Sequence, residues 1–170
     1  MASLADYTAG KLHGRWIDAS QDVEGIRADI AAMLKESTEP IAEEWAIHDY
    51  EGFGCLRLSE YEDIEMVASV AQLIEEHGEV FAGLVNHLGG LEYLDDARRT
   101  MEEGYCGEFD SVEDYARESV EDAYADVLEK LPDFIRYNID WEAIGRDFEL
   151  GGDIFTIEID YRVHVFYGNV

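Results

Sequence analysis

The amino-acid sequence predicts an α+β protein with short antiparallel sheets at both ends and a helical middle. Three observations carry this. Apolar residues recur at helical spacing through the centre of the chain, they alternate with polar ones near its end, and Gly- or Pro-bearing breaks separate the segments. With 170 residues, 47% apolar and 12% aromatic, the chain can bury a core as one ordinary domain or two to three very small ones. The breaks suggest three subdomains: α+β over 1–58, helical over 59–103 and α+β again over 104–170. No internal repeat or low-complexity linker interrupts them.

The elements follow in order. "LADYTAGKLHGRWIDAS" places Gly10-Lys11 between two short runs and predicts a β-hairpin or two irregular strands. Ser20 offers an N-cap to a helix with Val23, Ile26, Ile30, Met33 and Leu34 on one face, closing near Thr38. "EEWAIHDYEGFG" predicts a third strand that breaks at Gly52 and Gly54. Ser59 with Glu62 forms a capping-box pattern that opens the next helix, which ends at His77-Gly78. A short apolar helix over 79–88 and another over 91–103 flank Gly89-Gly90. Ser111 with Asp114 repeats the capping pattern before an amphipathic helix to about Lys130. Beyond Pro132, Asp140 caps a helix that closes near Gly151. "IFTIEIDYRVHVFY" then alternates as one strand, with Ile157, Ile159, Tyr161, Val163 and Val165 on one face and Glu158, Asp160, Arg162 and His164 on the other.

Charge narrows the function. Forty acids against 12 bases give a formal net charge of −28. Such a chain repels nucleic acid and anionic lipid, so direct nucleic-acid and membrane binding are excluded and cationic partners remain. Cys55 and Cys106 stand in no metal or redox spacing and read as two reduced thiols. The first residues lack a signal-like apolar core, and no window approaches ~18 consecutive apolar residues, which predicts a cytoplasmic protein.

Catalytic signatures are missing: there is no nucleophile elbow, phosphate loop, dinucleotide fingerprint or zinc-protease motif. The five histidines are scattered singly and read as surface or half-buried groups. "DFELGGDIFTIE" has Asp, Gly and Glu at positions one, six and twelve of a calcium loop, but Glu at three, Gly at five and a following strand argue against one. No enzyme, cofactor or metal site is expected.

The acids themselves are the candidate site. Glu60, Glu62, Asp63, Glu65, Glu75 and Glu76 crowd one predicted helix, and Glu92, Asp95, Asp96, Glu102 and Glu103 another. Glu108, Asp110, Glu113, Asp114, Glu118, Glu121, Asp122 and Asp126 follow, with Arg117 the one base among them. Few bases interleave to pair with them at i,i+4. A carboxylate at every third or fourth helical position places charges ~5 Å apart along the axis. Each strand of duplex DNA carries a phosphate every ~3.4 Å, a density of the same order. A protein groove lined with Lys and Arg for phosphates would accept such a surface. Salt adaptation is the competing reading. Three Lys against nine Arg suit it, but Glu (23) exceeds Asp (17) and large apolar side chains are not depleted.

Four blocks add what composition cannot: "KLHGRWIDA" (Lys11–Ala19), "EEWAIHDYEGF" (Glu43–Phe53), "LSEYEDIEMVA" (Leu58–Ala68) and "YNIDWEAIGRDFELGGDIFTIE" (Tyr137–Glu158). In this order, over about Leu12 to Phe166, the chain resembles the ArdA-type antirestriction proteins. The resemblance implies an elongated, curved, three-part protein that pairs as a homodimer and mimics bent B-form DNA. The targets it implies are type I restriction-modification enzymes, whose DNA groove on the specificity and methyltransferase subunits is occupied so that cleavage is blocked. It also implies an antirestriction motif near Val127–Ile139, beside the dimer interface. Arg136 departs from an otherwise acidic neighbourhood, and the N-terminal strand is short.

Overall fold

The computed structural model describes residues 1–169. It is an α+β fold that divides into two compact units between Leu94 and Asp95.

In the first unit, β1 (Ala2–Ser3) pairs antiparallel with β2 (Trp45–Ala46), and Gly14 bridges to Ala2. The expected N-terminal hairpin is absent because Ser3 acts as a cap. Its Oγ accepts from Asp6 N (3.4 Å) and starts α1 (Leu4–Thr8), which Gly10 ends at φ +76°. The Asp6 carboxylate is buried and accepts from Ser37 Oγ (2.6 Å), so its pKa lies below the ordinary carboxylate value. The third strand shrinks to Trp45–Ala46.

Helix α2 (Val23–Lys35) starts two residues later than Ser20 predicts, because Asp22 accepts from Gly25 N (2.6 Å) while Ser20 bonds Asp18 instead. Similarly, the Ser59–Glu62 pattern makes a turn rather than a helix start. Ser59 N donates to Glu62 Oε2 (3.2 Å), and α3 (Ile64–His77) begins only where Asp63 accepts from Glu65 N (2.9 Å). Ile26, Ile30 and Met33 of α2 pack on Ile64 and Ala68 of α3, with Val23, Leu34 and Trp45 around them. Helix α4 (Glu79–Leu88) has the expected bounds and buries Phe81, Leu84 and Val85 completely. Burying each such side chain stabilises the fold by ~1.5–3 kcal/mol. After the 3₁₀ turn Leu91–Tyr93, α5 (Leu94–Gly104) buries Leu94, Ala97 and Met101.

The second unit is built on a three-stranded antiparallel sheet, order β3-β5-β4, from β3 (Tyr105–Phe109), β4 (Ile154–Ile159) and β5 (Arg162–Tyr167). The sequence reading missed β3. It also read the tail as one strand, whereas Asp160 and Tyr161 adopt φ +50° and +63° and fold it into a two-residue hairpin. This changes the faces. Ile157 pairs with His164 and Phe155 with Phe166, so His164 is buried rather than outward, its Nδ1 2.8 Å from Tyr105 Oη. Burial lowers the His164 pKa below its ordinary value.

The other face of the sheet, with Ile154 and Val165, is covered by α6 (Val112–Ala123) and α9 (Trp141–Gly151) through Tyr115, Val112 and Phe148. These two helices approach so closely at Gly145 that a Cβ there would lie 3.0 Å from Val112 O. The helix expected to run to Lys130 breaks at Tyr124 (φ −127°, ψ 26°), with neither Gly nor Pro to mark it. The short α7 (Ala125–Leu128) and α8 (Asp133–Arg136) follow. The near-miss calcium loop is split between the end of α9 and β4.

Candidate functional site

Seventeen of the nineteen predicted carboxylates are exposed; Glu62 and Asp114 are half-buried. Their placement differs from the sequence reading in detail. Glu60, Glu62 and Asp63 lie in the turn before α3, Glu108 lies in β3, and Asp126 lies beyond the break in α7.

Seven of these acids have local duties. Glu62 and Asp63 hold the turn and the cap described above. Glu65 pairs with Arg27 (2.9 Å) and Asp96 with Arg99 (2.8 Å). Asp114 accepts from Ser111 Oγ (2.6 Å) and pairs with Arg117, while Glu108 (2.6 Å) and Asp110 share Arg162. Exposed pairs of this kind contribute only ~0–1 kcal/mol each. The remaining twelve have no ion pair or side-chain hydrogen bond among the described residues: Glu60, Glu75, Glu76, Glu92, Asp95, Glu102, Glu103, Glu113, Glu118, Glu121, Asp122 and Asp126.

Position along each helix separates structural acids from unexplained ones. A helix carries about half a positive charge at its start and half a negative one at its end. Glu65, Asp95, Asp96, Glu113 and Asp114 occupy first turns and stabilise the helices they begin. Glu75–Glu76, Glu102–Glu103 and Glu121–Asp122 occupy the last turns of α3, α5 and α6, where the helix dipole opposes them. The last turns of α5 and α6 contain no basic residue. Helix α2, by contrast, ends on Lys35. Each misplaced carboxylate costs ~0.3–1 kcal/mol, and of the three last turns only that of α3 holds a basic residue, His77. These three pairs are surfaces held against the interest of the fold.

Exposed acids beyond the predicted set, among them Glu79, Glu129, Glu142 and Asp147, extend the same character. Sequence spacing could not rank these against the others, because ranking needs helix ends and ion-pair partners.

The segment Val127–Ile139 differs in chemistry. Val127, Phe134, Ile135 and Tyr137 are all exposed, beside a cleft lined by Leu128, Ile139 and Trp141. The Arg136 guanidinium lies 4.9 Å from the Tyr137 ring centroid and donates to Asp133 (3.1 Å) and Tyr137 Oη (2.9 Å), while its Nε is buried without a partner among the described residues.

Among the described residues, no group of three or more His, Cys, Asp or Glu side chains could hold a metal ion. Cys55 and Cys106 are free thiols. Among the described residues, no helix is long and apolar enough to cross a membrane. A family model described as antirestriction protein (ArdA) matches residues 1–163 of the chain. No curated protein matches it significantly.

Proposed function

The chain belongs to the ArdA antirestriction protein family, and from that premise we propose that it inhibits type I restriction-modification enzymes by presenting carboxylates where they hold DNA phosphates. It occupies the DNA groove of the specificity and methyltransferase subunits and performs no catalysis of its own. One observation carries this reading: three helices end on exposed, unpaired acidic pairs that their own dipoles disfavour. A cationic groove supplies the missing countercharge, so the cost to the free protein becomes affinity in the complex. Salt adaptation accounts for a high total of acids but does not call for unpaired acidic pairs in the last turns of three helices.

The protein acts in the cytoplasm as a homodimer. The exposed Val127, Phe134, Ile135 and Tyr137 support this, since large apolar side chains clustered beside a cleft mark an interface. The Val127–Ile139 stretch thus serves association, and the acidic helices serve the target.

Competition tests the reading. A type I methyltransferase core bound to the protein should release it when duplex DNA is added, and inhibition of cleavage should weaken in parallel. A complex that binds protein and DNA together would refute mimicry. Capture of a different DNA-binding protein, with the type I core left unbound, would redirect the mimicry to that target.

A further inference from the structure

Three of the sequence blocks quoted above, two of them with no residue in the candidate acidic set, converge on one cleft of about 320 Å³ in the first unit. Its floor is apolar and buried, from Ile47, Phe53 and Val67. Its walls are aromatic. Tyr50 is held by Leu58 N, which donates to its Oη (3.1 Å), and stands edge-on to Phe53 with ring centroids 5.9 Å apart. Trp16 is 62% exposed although it lines this cleft. Carboxylates complete it: Asp18, Asp49 and Glu51, all exposed. Asp18 already accepts from Ser20 N (3.0 Å) and Oγ (2.9 Å), which favours its charged form. The Met1 α-amino group lies at one side, donates to Arg15 O (3.0 Å) and is attracted by Asp49, so Asp18 and Glu51 remain without a countercharge.

The other tryptophans make the contrast. Each lines a cleft that contains one of the chain's own guanidinium groups, Arg27 with Trp45 and Arg136 with Trp141. The Trp16 cleft is lined by no Lys or Arg among the described residues. Arg15, on an adjoining cleft of Trp16, is held by Glu36 (2.8 Å).

We propose that the Trp16–Tyr50 cleft receives one arginine side chain of the target protein, stacked on the aromatic walls and neutralised by Asp18 and Glu51. The proposal rests on the function proposed above and adds a localised anchor to a diffuse electrostatic surface. A planar, weakly hydrated guanidinium suits an aromatic, acidic cleft better than a compact ammonium does.

The test is a titration of the full chain with N-acetyl-arginine amide, followed at the three tryptophan indole N–H resonances. The Trp16 resonance should move saturably with Kd in the millimolar range, roughly what one detached side chain achieves, while Trp45 and Trp141 stay still. N-acetyl-norleucine amide should not compete. Equal binding of norleucine amide, or no saturable shift at Trp16, would overturn the site; equally tight binding of N-acetyl-lysine amide would overturn the guanidinium assignment.

Trp16→Leu and the pair Asp18→Asn with Glu51→Gln should each weaken binding about fivefold. The charge pair decides the matter should Trp16→Leu not fold. In restriction assays the charge pair should also weaken inhibition. A variant that loses arginine amide but inhibits normally would remove the cleft from the interface. Should the wild type fail to inhibit any type I enzyme, the functional reading falls, and the titration still decides what the cleft binds.

Discussion

The two units carry equal charge on unequal cores. Residues 1–94 hold 19 acids and 5 bases, and residues 95–170 hold 21 and 7, so each has a net charge of −14. The first unit supplies nineteen of the buried apolar residues and the second seven. Large exposed apolar side chains run the other way: five of them, Tyr124, Val127, Phe134, Ile135 and Tyr137, fall within fourteen residues of the second unit. Similar composition thus serves two ends. The first unit is a scaffold that tolerates charge. The second spreads the same charge over less core and leaves more of its large apolar side chains exposed.

Truncations sharpen this contrast most strongly. Phe81→Ala, at a fully buried position of α4, should cost about 3–5 kcal/mol in denaturant unfolding. Phe134→Ala, at a position 74% exposed, should change intrinsic stability by less than about 0.5 kcal/mol. Its effect should appear instead in sedimentation, as a weaker dimer. Equal stability losses from both would erase the distinction between core and interface.

Charge removal should divide by helix position. Neutralising Glu75, Glu76, Glu102, Glu103, Glu121 and Asp122 together should weaken inhibition roughly 10- to 100-fold, as several exposed pairs of ~0–1 kcal/mol each would, while any one change costs about fivefold at most. The same variant should unfold at higher denaturant, because the helix ends lose an unfavourable charge. Neutralising the first-turn acids Glu65, Asp95, Asp96, Glu113 and Asp114 should lower stability instead. A single substitution that abolishes inhibition with the fold intact would point to a localised site.

Gly145→Ala should destabilise the second unit by about 1–3 kcal/mol, since its Cβ would press on Val112 where α6 and α9 meet. Hydrogen exchange should show the loss in α6 and α9 and leave α4 unchanged.

The smallest effects concern pH. His164 has its pKa lowered by burial, so the native state resists protonation that the unfolded chain accepts near 6.5. Stability of the second unit should therefore fall as pH drops below about that value, and His164→Asn should remove that slope. Asp6 in the first unit is shifted down by its Ser37 hydrogen bond. Its contribution is present above the unfolded value of 3.8 and is lost only as pH falls through the lower folded value. Amide exchange of each unit across pH 7 to 3 separates the two windows.

Much of this fold is legible in the sequence, and the failures share a cause. The apolar period gives α4 its bounds, and Ser111–Asp114 marks the start of α6, because both signals are local and uncontested. At Ser20 and Ser59 a second side chain, Asp22 or Asp63, competes to cap the same stretch, and only packing decides the winner. The tail hairpin was hidden because Asp160-Tyr161 looks like continued alternation, and both residues must adopt positive φ for the turn. Of the candidate acids, exposure could be read from spacing, with seventeen of nineteen exposed. Which acids oppose a helix dipole could not, since that depends on where each helix ends. The Trp16 cleft was likewise invisible, being assembled from blocks far apart in the chain.

Salt titration addresses the central claim most directly. The dissociation constant of the complex with a type I methyltransferase core should rise roughly 10³-fold or more between about 50 and 200 mM salt, as for a groove that makes six to ten phosphate contacts. An affinity that changes less than about twofold over that range would show that surface carboxylates do not hold the complex together.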